Sequence, residues 1–198
     1  MKRLSTIILP GIILIVLIVF LLTSWTGASA ATLPERIRHT STCGVWKTVA
    51  SPNVDTSYNV LSGVAAISAR NVWAVGGHGN LTLVEHWNGT KWKVVASPNV
   101  NGSLTDSLSG IVAIAANNIW AVGGYNDASN NGRTLIEHWN GTSWSIVNSP
   151  NVATLSDGLA AVSAVSATDI WATGTIAGTS SSQPLFEHWN GTSWSITS

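Results

Sequence analysis

The sequence predicts an all-β protein of the β-propeller type, made of three four-stranded antiparallel blades. Three observations carry this prediction: a repeat of about 50 residues, an Asn-Gly pair at the same place in each repeat, and 11 tryptophans, ten of which fall at repeated positions. Periods of this size with glycine and tryptophan landmarks are typical of propeller blades. The chain has 198 residues, enough for one domain with a buried core.

The repeat is clearest around its second aromatic segment. Glu85-His86-Trp87-Asn88-Gly89-Thr90-Lys91-Trp92 returns twice, at steps of 52 and 50 residues. The two later copies are Glu137 to Trp144 and Glu187 to Trp194. Two other segments recur in step with it: Gly63 to Trp73, Gly110 to Trp120 and Ala161 to Trp171, and the Ser-Pro-Asn-Val runs that begin at Ser51, Ser97 and Ser149.

The first half of each repeat predicts two strands. In the first copy, Leu61 to Ser68 is short, apolar and rich in β-branched residues, which favours a buried strand A over a helix. A polar turn follows at Ala69-Arg70-Asn71. Strand B is predicted over Val72 to Val75, with Gly76-Gly77 ending it.

The second half predicts a hairpin. Strand C runs from Leu81 to Trp87 and strand D from Thr90 to Val95. Asn88-Gly89 lies between them, and such a pair favours a type I′ turn, in which both central residues have positive φ. Pro98 ends the pairing because proline has no N–H to donate.

The predicted blades cover about 61–95, 108–147 and 159–197, and an extra strand with Trp46 precedes them at Val45 to Ala50. Closed propellers have 4–8 blades, so three blades cannot close a ring alone. The open alternatives are an open arc, half of an oligomeric ring in which two copies supply six blades, and a truncated gene product.

The N-terminus predicts export. Lys2 and Arg3 precede the apolar run Ile7 to Leu22, and Ala28-Ser29-Ala30 has the pattern of a cleavage site. We therefore expect a signal peptide over residues 1–30 and a leader over 31–44. The alternative is an uncleaved membrane anchor. Both place the repeats outside the cytoplasm, as a secreted or cell-surface protein.

The composition excludes several classes of function. Charged residues make up 9% of the chain and the net charge is zero, whereas soluble domains average about 25% charged residues. Without a basic surface, nucleic-acid binding is not expected. The many tryptophans and few charges fit blades whose two faces are both packed on neighbours. Cys43 is the single cysteine, so no internal disulfide can form.

These motifs resemble the kelch-type blade of the galactose-oxidase-like superfamily. The matching segments are Val72 to Gly77, Val84 to Trp92 and their copies, and the third copy departs at Thr173-Gly174-Thr175. The Trp-x-x-Val-x-Ser-Pro-Asn spacing is similar to that of exported bacterial repeat proteins of unassigned function. The resemblance implies a propeller fold. It does not carry the copper chemistry of galactose oxidase, since Cys43 lies outside the repeats.

No catalytic, cofactor-binding or metal site is predicted, and no cofactor. His86, His138 and His188 repeat on every blade, which indicates a structural role such as a hydrogen bond to a neighbouring strand. Asp127 to Gly132 matches the start of a calcium loop, but His138 stands where the closing glutamate belongs. An Asn/Gly-rich surface loop is the favoured interpretation.

The predicted binding surface is the face formed by the D–A and B–C loops, which are long and differ between repeats. Its candidate residues are Tyr58, His78, Asp106, Tyr125, Asp127 and Arg133. We expect an exported non-catalytic interaction module whose partner is a protein or a glycan. The alternatives are a fragment of a longer propeller protein and a propeller hydrolase or lyase whose site is not visible in this chain.

Overall fold

The computed structural model describes residues 47–56, 58–152, 156–178 and 181–197. In these ranges the chain forms twelve strands and no helix, and therefore no helix able to span a bilayer. The strands make three four-stranded antiparallel sheets, each in simple chain order. The predicted all-β, three-blade architecture is confirmed. The export signal, the leader, Val45 and Trp46 lie outside the described residues.

The three sheets are called blades 1, 2 and 3. Blade 1 contains β1 (Asn59–Ser68), β2 (Asn71–His78), β3 (Leu81–Trp87) and β4 (Trp92–Val94). Blade 2 contains β5 (Thr105–Ala115), β6 (Asn118–Asn126), β7 (Gly132–Trp139) and β8 (Trp144–Val147). Blade 3 contains β9 (Ser156–Ser166), β10 (Asp169–Ala177), β11 (Ser182–Trp189) and β12 (Trp194–Ile196).

The predicted extra N-terminal strand is not formed over Lys47–Ala50, where the chain has no regular structure. Val49 instead lines a shallow cavity of about 220 Å³ together with Val72, Trp87 and Trp92. The segment therefore lies against blade 1 without pairing as a strand.

The Gly-Gly pair does not end strand B, contrary to the prediction, because β2 continues to His78. The first glycine of the pair, Gly76, is required for a different reason. β1 has an irregularity between Leu61 and Gly63, which brings its backbone so close that a Cβ on Gly76 would overlap the Val60 carbonyl oxygen. Gly123 and Gly174 are in the same position on the other blades. The glycine is thus required by close backbone approach inside the sheet.

The Asn-Gly turns also differ from the type I′ turn that was predicted. Gly89 has a φ of +92°, but Asn88 is not among the residues with positive φ. The Asn88 side-chain oxygen instead accepts hydrogen bonds from the backbone N–H groups of Thr90 and Lys91, at 3.0 and 3.1 Å. Trp87 pairs with Trp92 across the turn, so the loop has four residues and is held by an asparagine side chain.

Neighbouring blades pack through a repeated tryptophan cluster. Trp73 of blade 1 lies with its ring centroid 4.8 Å from Trp139 and 5.7 Å from Trp144 of blade 2. Trp120 of blade 2 meets blade 3 in the same way, at 4.9 Å from Trp189 and 5.7 Å from Trp194. Two separate hydrophobic clusters form around these contacts, one for each interface.

The repeated histidines orient these tryptophans. In blade 2, the Asn118 side-chain oxygen accepts the indole N–H of Trp120 at 2.9 Å and lies 3.0 Å from Nε2 of His138. Since an amide oxygen cannot donate, His138 donates from Nε2. The His138 and Trp120 ring centroids are 4.3 Å apart. Blades 1 and 3 repeat the arrangement, with Asp169 in place of asparagine in blade 3. The histidines therefore have the structural role that was expected.

The Ser-Pro-Asn linkers fasten one blade to the next. Ser149 Oγ lies 2.8 Å from Thr134 Oγ1 of blade 2 and donates to Glu187 of blade 3 at 2.7 Å. The Asn151 side-chain oxygen accepts the backbone N–H of Thr134 at 2.8 Å. Thr82, Ser97 and Asn99 repeat the contacts to the preceding blade. The linker motif is thus explained by hydrogen bonding between blades.

We expect Thr134→Val to lower the free energy of unfolding by about 1–2 kcal/mol, because a buried hydroxyl that contacts Ser149 is replaced by a methyl group of similar volume. Chemical denaturation measures the loss. Thr142→Val is the matched control, since Thr142 is exposed in a turn and its loss should stay within about 0.5 kcal/mol. Equal losses in the two variants would show that the linker contact contributes nothing specific.

Candidate binding surface

Four of the six candidate residues meet at one end of blade 2. Asp106 of β5 pairs with Tyr125 of β6, and Tyr125 pairs with Arg133 of β7. These three residues therefore form a row across the sheet, at the end where the D–A and B–C loops lie. Arg133 Nε in turn lies 3.1 Å from Asp127 Oδ2.

The Asp127 carboxylate organises the loop between β6 and β7. One of its oxygens accepts the backbone N–H groups of Ser129 and Asn131, both at 2.9 Å. Several hydrogen bonds hold the pKa of Asp127 below its usual range. The backbone N–H of Asn131 has the largest effect, and the bond from Arg133 adds to it. This is the Asn/Gly-rich surface loop that was favoured. In the described ranges, no group of three or more His, Cys, Asp or Glu side chains could hold a metal.

Asp106 differs from its neighbours in the row because it is only 3% exposed. Its Oδ2 accepts the backbone N–H of Val100 at 2.6 Å, and so holds the loop that enters blade 2. Asp157 and Val152 repeat the bond before blade 3, and Asn59 takes the same place in blade 1. The structure thus assigns Asp106 to loop positioning rather than to the exposed surface. The sequence lacks an obvious sign of this, because the position alternates between Asn and Asp.

The other two candidates lie at the same end of blade 1. Tyr58 is half-exposed and its carbonyl oxygen accepts the N–H of Gly79 at 3.1 Å. His78 is the last residue of β2 and pairs with Asn59. A backbone bond from Asp106 N–H to the Asn80 carbonyl oxygen joins this end of blade 1 to blade 2. The loop surface is therefore continuous over both blades.

Equivalent positions on this surface carry unlike side chains. The pairing register places His78, Tyr125 and Ile176 at one position. It places Leu81, Arg133 and Gln183 at another. The tryptophans, histidines and glutamates of the blade interiors are by contrast identical in all three repeats.

A cavity of about 270 Å³ opens beside Tyr125. Most of its lining comes from residues that the sequence did not single out, in particular loop asparagines before β5 and after β8. The lining includes Val100, Asn101, Tyr125, Thr134, Leu135, Asn148 and Asn151. The only available signal in the sequence was the concentration of asparagine in the D–A loops.

The repeated glutamates lie inside the blades and have no exposed surface. Glu85 accepts hydrogen bonds from Ser51, and Glu187 accepts one from Ser149. Glu137 has no hydrogen-bond partner for either oxygen: the equivalent Ser97 contacts Thr82 but does not bond to this carboxylate. Burial, with a smaller contribution from the nearby Asp106 charge, raises the pKa of Glu137 to about 8. Burial likewise raises the pKa of Glu187 to about 7.

No protein-family model matches the chain, and no curated protein matches it. Several solved structures are similar to it, among them the following two. One is YCF48 bound to a D1 peptide, with 14% identity, a TM-score of 0.43 and 69% of this chain covered; the chain spans only 39% of that protein. The other is a fucose lectin from Kordia zhangzhouensis in complex with methyl-fucoside, with 11% identity and a TM-score of 0.45, covering 69% of this chain and 98% of the lectin.

Proposed function

We propose that this protein is an exported, non-catalytic interaction module that binds a protein or glycan partner through the loop surface of blades 1 and 2. The observation that carries the proposal is the variation of side chains at equivalent blade ends on an otherwise repeated scaffold. Identical residues in the interior serve packing that every blade needs. Unlike residues at His78, Tyr125 and Arg133 serve no such shared need, which favours recognition of a ligand.

The chemistry of the surface supports binding. Tyr58 and Tyr125 offer aromatic rings with a polar end, and Arg133 is steadied beside Asp127; Tyr and Arg are the residue types enriched at interaction hot spots. The adjoining cavity combines apolar walls with amide groups from Asn101 and Asn148, a mixture typical of small ligand sites.

A binding role without catalysis is also supported by how four of the blade carboxylates are used. Glu85 and Glu187 accept serine hydroxyls from the linkers, while Asp106 and Asp157 hold loop N–H groups. Each is engaged in structure inside a blade or loop. The N-terminal sequence supports export to an extracytoplasmic location, and the motifs around Trp73 and Trp92 support kinship with kelch-like propellers; both are part of the proposal.

Screening the full chain against a glycan array and a random-peptide display library tests the proposed function. We expect a ligand whose affinity falls at least about tenfold in Tyr125→Ala and in Arg133→Ala, as for residues at the centre of an interface. Thr142→Ala is the control, because it lies in a turn at the opposite end of blade 2 and should bind normally. Failure of both screens, or equal weakening by all three variants, would contradict the proposal.

A further inference from the structure

Blade 3 has a face that no other described strand covers, and its side chains differ from those at the equivalent positions of blades 1 and 2. It is called the blade 3 face and consists of Ser163, Val165, Trp171, Thr173, Thr175 and Phe186. The equivalent faces of blades 1 and 2 are covered by the next blade. Among the described residues no further blade covers this one, and Trp171 is 40% exposed where Trp73 and Trp120 are each 4% exposed.

Three positions of the blade 3 face have changed from apolar to hydroxylic, while Val165, Trp171 and Phe186 remain apolar and exposed. The pairing register aligns Ser163 with Val112 of blade 2, since both lie opposite the strand B tryptophan. In the same way Thr173 replaces Val122, which is fully buried in blade 2. Thr175 replaces a glycine that is present in both other blades. The hydroxyl groups of Ser163 and Thr173 therefore adjoin an exposed indole, and that of Thr175 lies further along the strand, at positions where the other blades carry carbon or hydrogen.

One further change removes the hydrogen-bonding groups to which a following linker would bind. Thr82 and Thr134 each donate a backbone N–H to the asparagine of the next Ser-Pro-Asn segment. Pro184 has the equivalent place in blade 3, opposite Thr175, and proline has neither this N–H nor a hydroxyl. The face is thus not suited to receive another blade by the contacts that join blades 1, 2 and 3.

The side-chain orientation of Trp171 is fixed although nothing in the described chain covers it. Its indole N–H donates to Asp169 at 2.9 Å, and its ring centroid lies 4.4 Å from that of His188. His188 Nε2 lies 2.9 Å from the same carboxylate oxygen. The side of the indole that Trp73 and Trp120 turn to the next blade is therefore presented to solvent in a fixed orientation.

The surroundings disfavour an anionic ligand and offer space for a small one. A depression of about 130 Å³ adjoins the indole, lined by Ala161, Val162, Ser163, Trp171 and Thr173. Residues 153–198 contain no lysine or arginine, so nothing on this blade would attract an anion. A flat aromatic surface bordered by hydroxyl groups matches a sugar ring, which has an apolar C–H face and a rim of hydroxyls.

We propose that the blade 3 face is a glycan-binding site, in which a neutral pyranose ring stacks on Trp171 and hydrogen-bonds to Ser163 and Thr173. This site is separate from the loop surface of blades 1 and 2, and either can exist without the other. It requires no covalent step and no metal.

The test titrates the full chain with a panel of neutral methyl hexopyranosides and their β-linked disaccharides, followed by tryptophan fluorescence and ligand-observed NMR. We expect saturable binding by at least one sugar. Trp171→Ala should abolish it, and Ser163→Val with Thr173→Val should weaken it at least about tenfold while keeping the indole. Tyr125→Ala should leave it unchanged, which distinguishes this site from the loop surface.

Three results would overturn the proposal. The first is that no sugar in the panel binds. The second is that binding survives in Trp171→Ala, or in Trp171→Phe combined with the two valine substitutions should the alanine variant fail to fold. The third is that light scattering shows a dimer that Trp171→Ala dissociates, since the face would then be an interface between two copies, as in the six-blade ring considered above.

Discussion

Replacing Trp120 by alanine should lower the free energy of unfolding by about 3–5 kcal/mol, the cost of removing a large aromatic side chain from a core. Trp120 is 4% exposed and contacts His138 within its own blade as well as Trp189 and Trp194 of blade 3. Its loss would leave a void between two blades and an Asn118 side chain without the indole N–H. Denaturation by urea, monitored by circular dichroism, measures the change.

Trp171→Ala is the matched control. Trp171 has the equivalent position in its sheet. It contacts His188 as Trp120 contacts His138, and it donates to Asp169 as Trp120 donates to Asn118. No following blade covers it in the described chain. We expect it to cost less than half as much as Trp120→Ala. Equal losses would mean that the packing between blades contributes little, and an unchanged denaturation curve for Trp120→Ala would refute its place in the core.

The second large effect concerns Glu137 and pH. Its pKa is about 8 in the folded protein, against an ordinary value of 4.5. Below pH 4.5 both the folded and the unfolded chain hold the proton. As the pH rises from 4.5 to about 8, the unfolded chain loses the proton while the folded chain retains it, so stability falls by up to about 1.4 kcal/mol per pH unit. Above about pH 8 the penalty is complete and stays constant.

Glu137→Gln should therefore stabilise the protein by an amount on the order of 3–5 kcal/mol at pH 8.5 and by little at pH 4.5. Denaturation curves at a series of pH values check this. Glu187→Gln is the comparison, because its carboxyl accepts a hydrogen bond from Ser149 and its pKa is lower, about 7. Its gain should be smaller. A gain for Glu137→Gln that does not depend on pH would show that the buried carboxyl does not titrate as described.

Most of the fold could be predicted because the repeat is internal and its landmarks have direct physical meaning. The short, apolar segments rich in β-branched residues indicate strands, and the Asn88-Gly89 pair marks the position of a turn even though the turn type was wrong. Repeated identity also pointed correctly to a structural role for His138. The role of Gly76 was misjudged because a glycine can mark either the end of a strand or a place inside a sheet where two backbones approach closely.

The site was less predictable because it depends on register and on single contacts. Tyr125, Asp127 and Arg133 were brought together as expected of loops at one end of a blade. Asp106 was also expected there, but the direction in which its side chain points depends on the register of β5. The isolation of Glu137 could not be foreseen, since Ser97 and Ser149 occupy identical motifs and only Ser149 reaches a glutamate.

Chemical-shift mapping by NMR tests the central claim most directly, which is that the loop surface of blades 1 and 2 binds the ligand. The full chain, labelled with ¹⁵N, would be titrated with the tightest-binding glycan or peptide from the two screens. The account predicts that the shifted amides cluster at Tyr58, His78, Asn101, Tyr125 and Arg133. Shifts that cluster instead at the Asn-Gly turns around Gly89 and Gly141, on the opposite side of the blades, would contradict it.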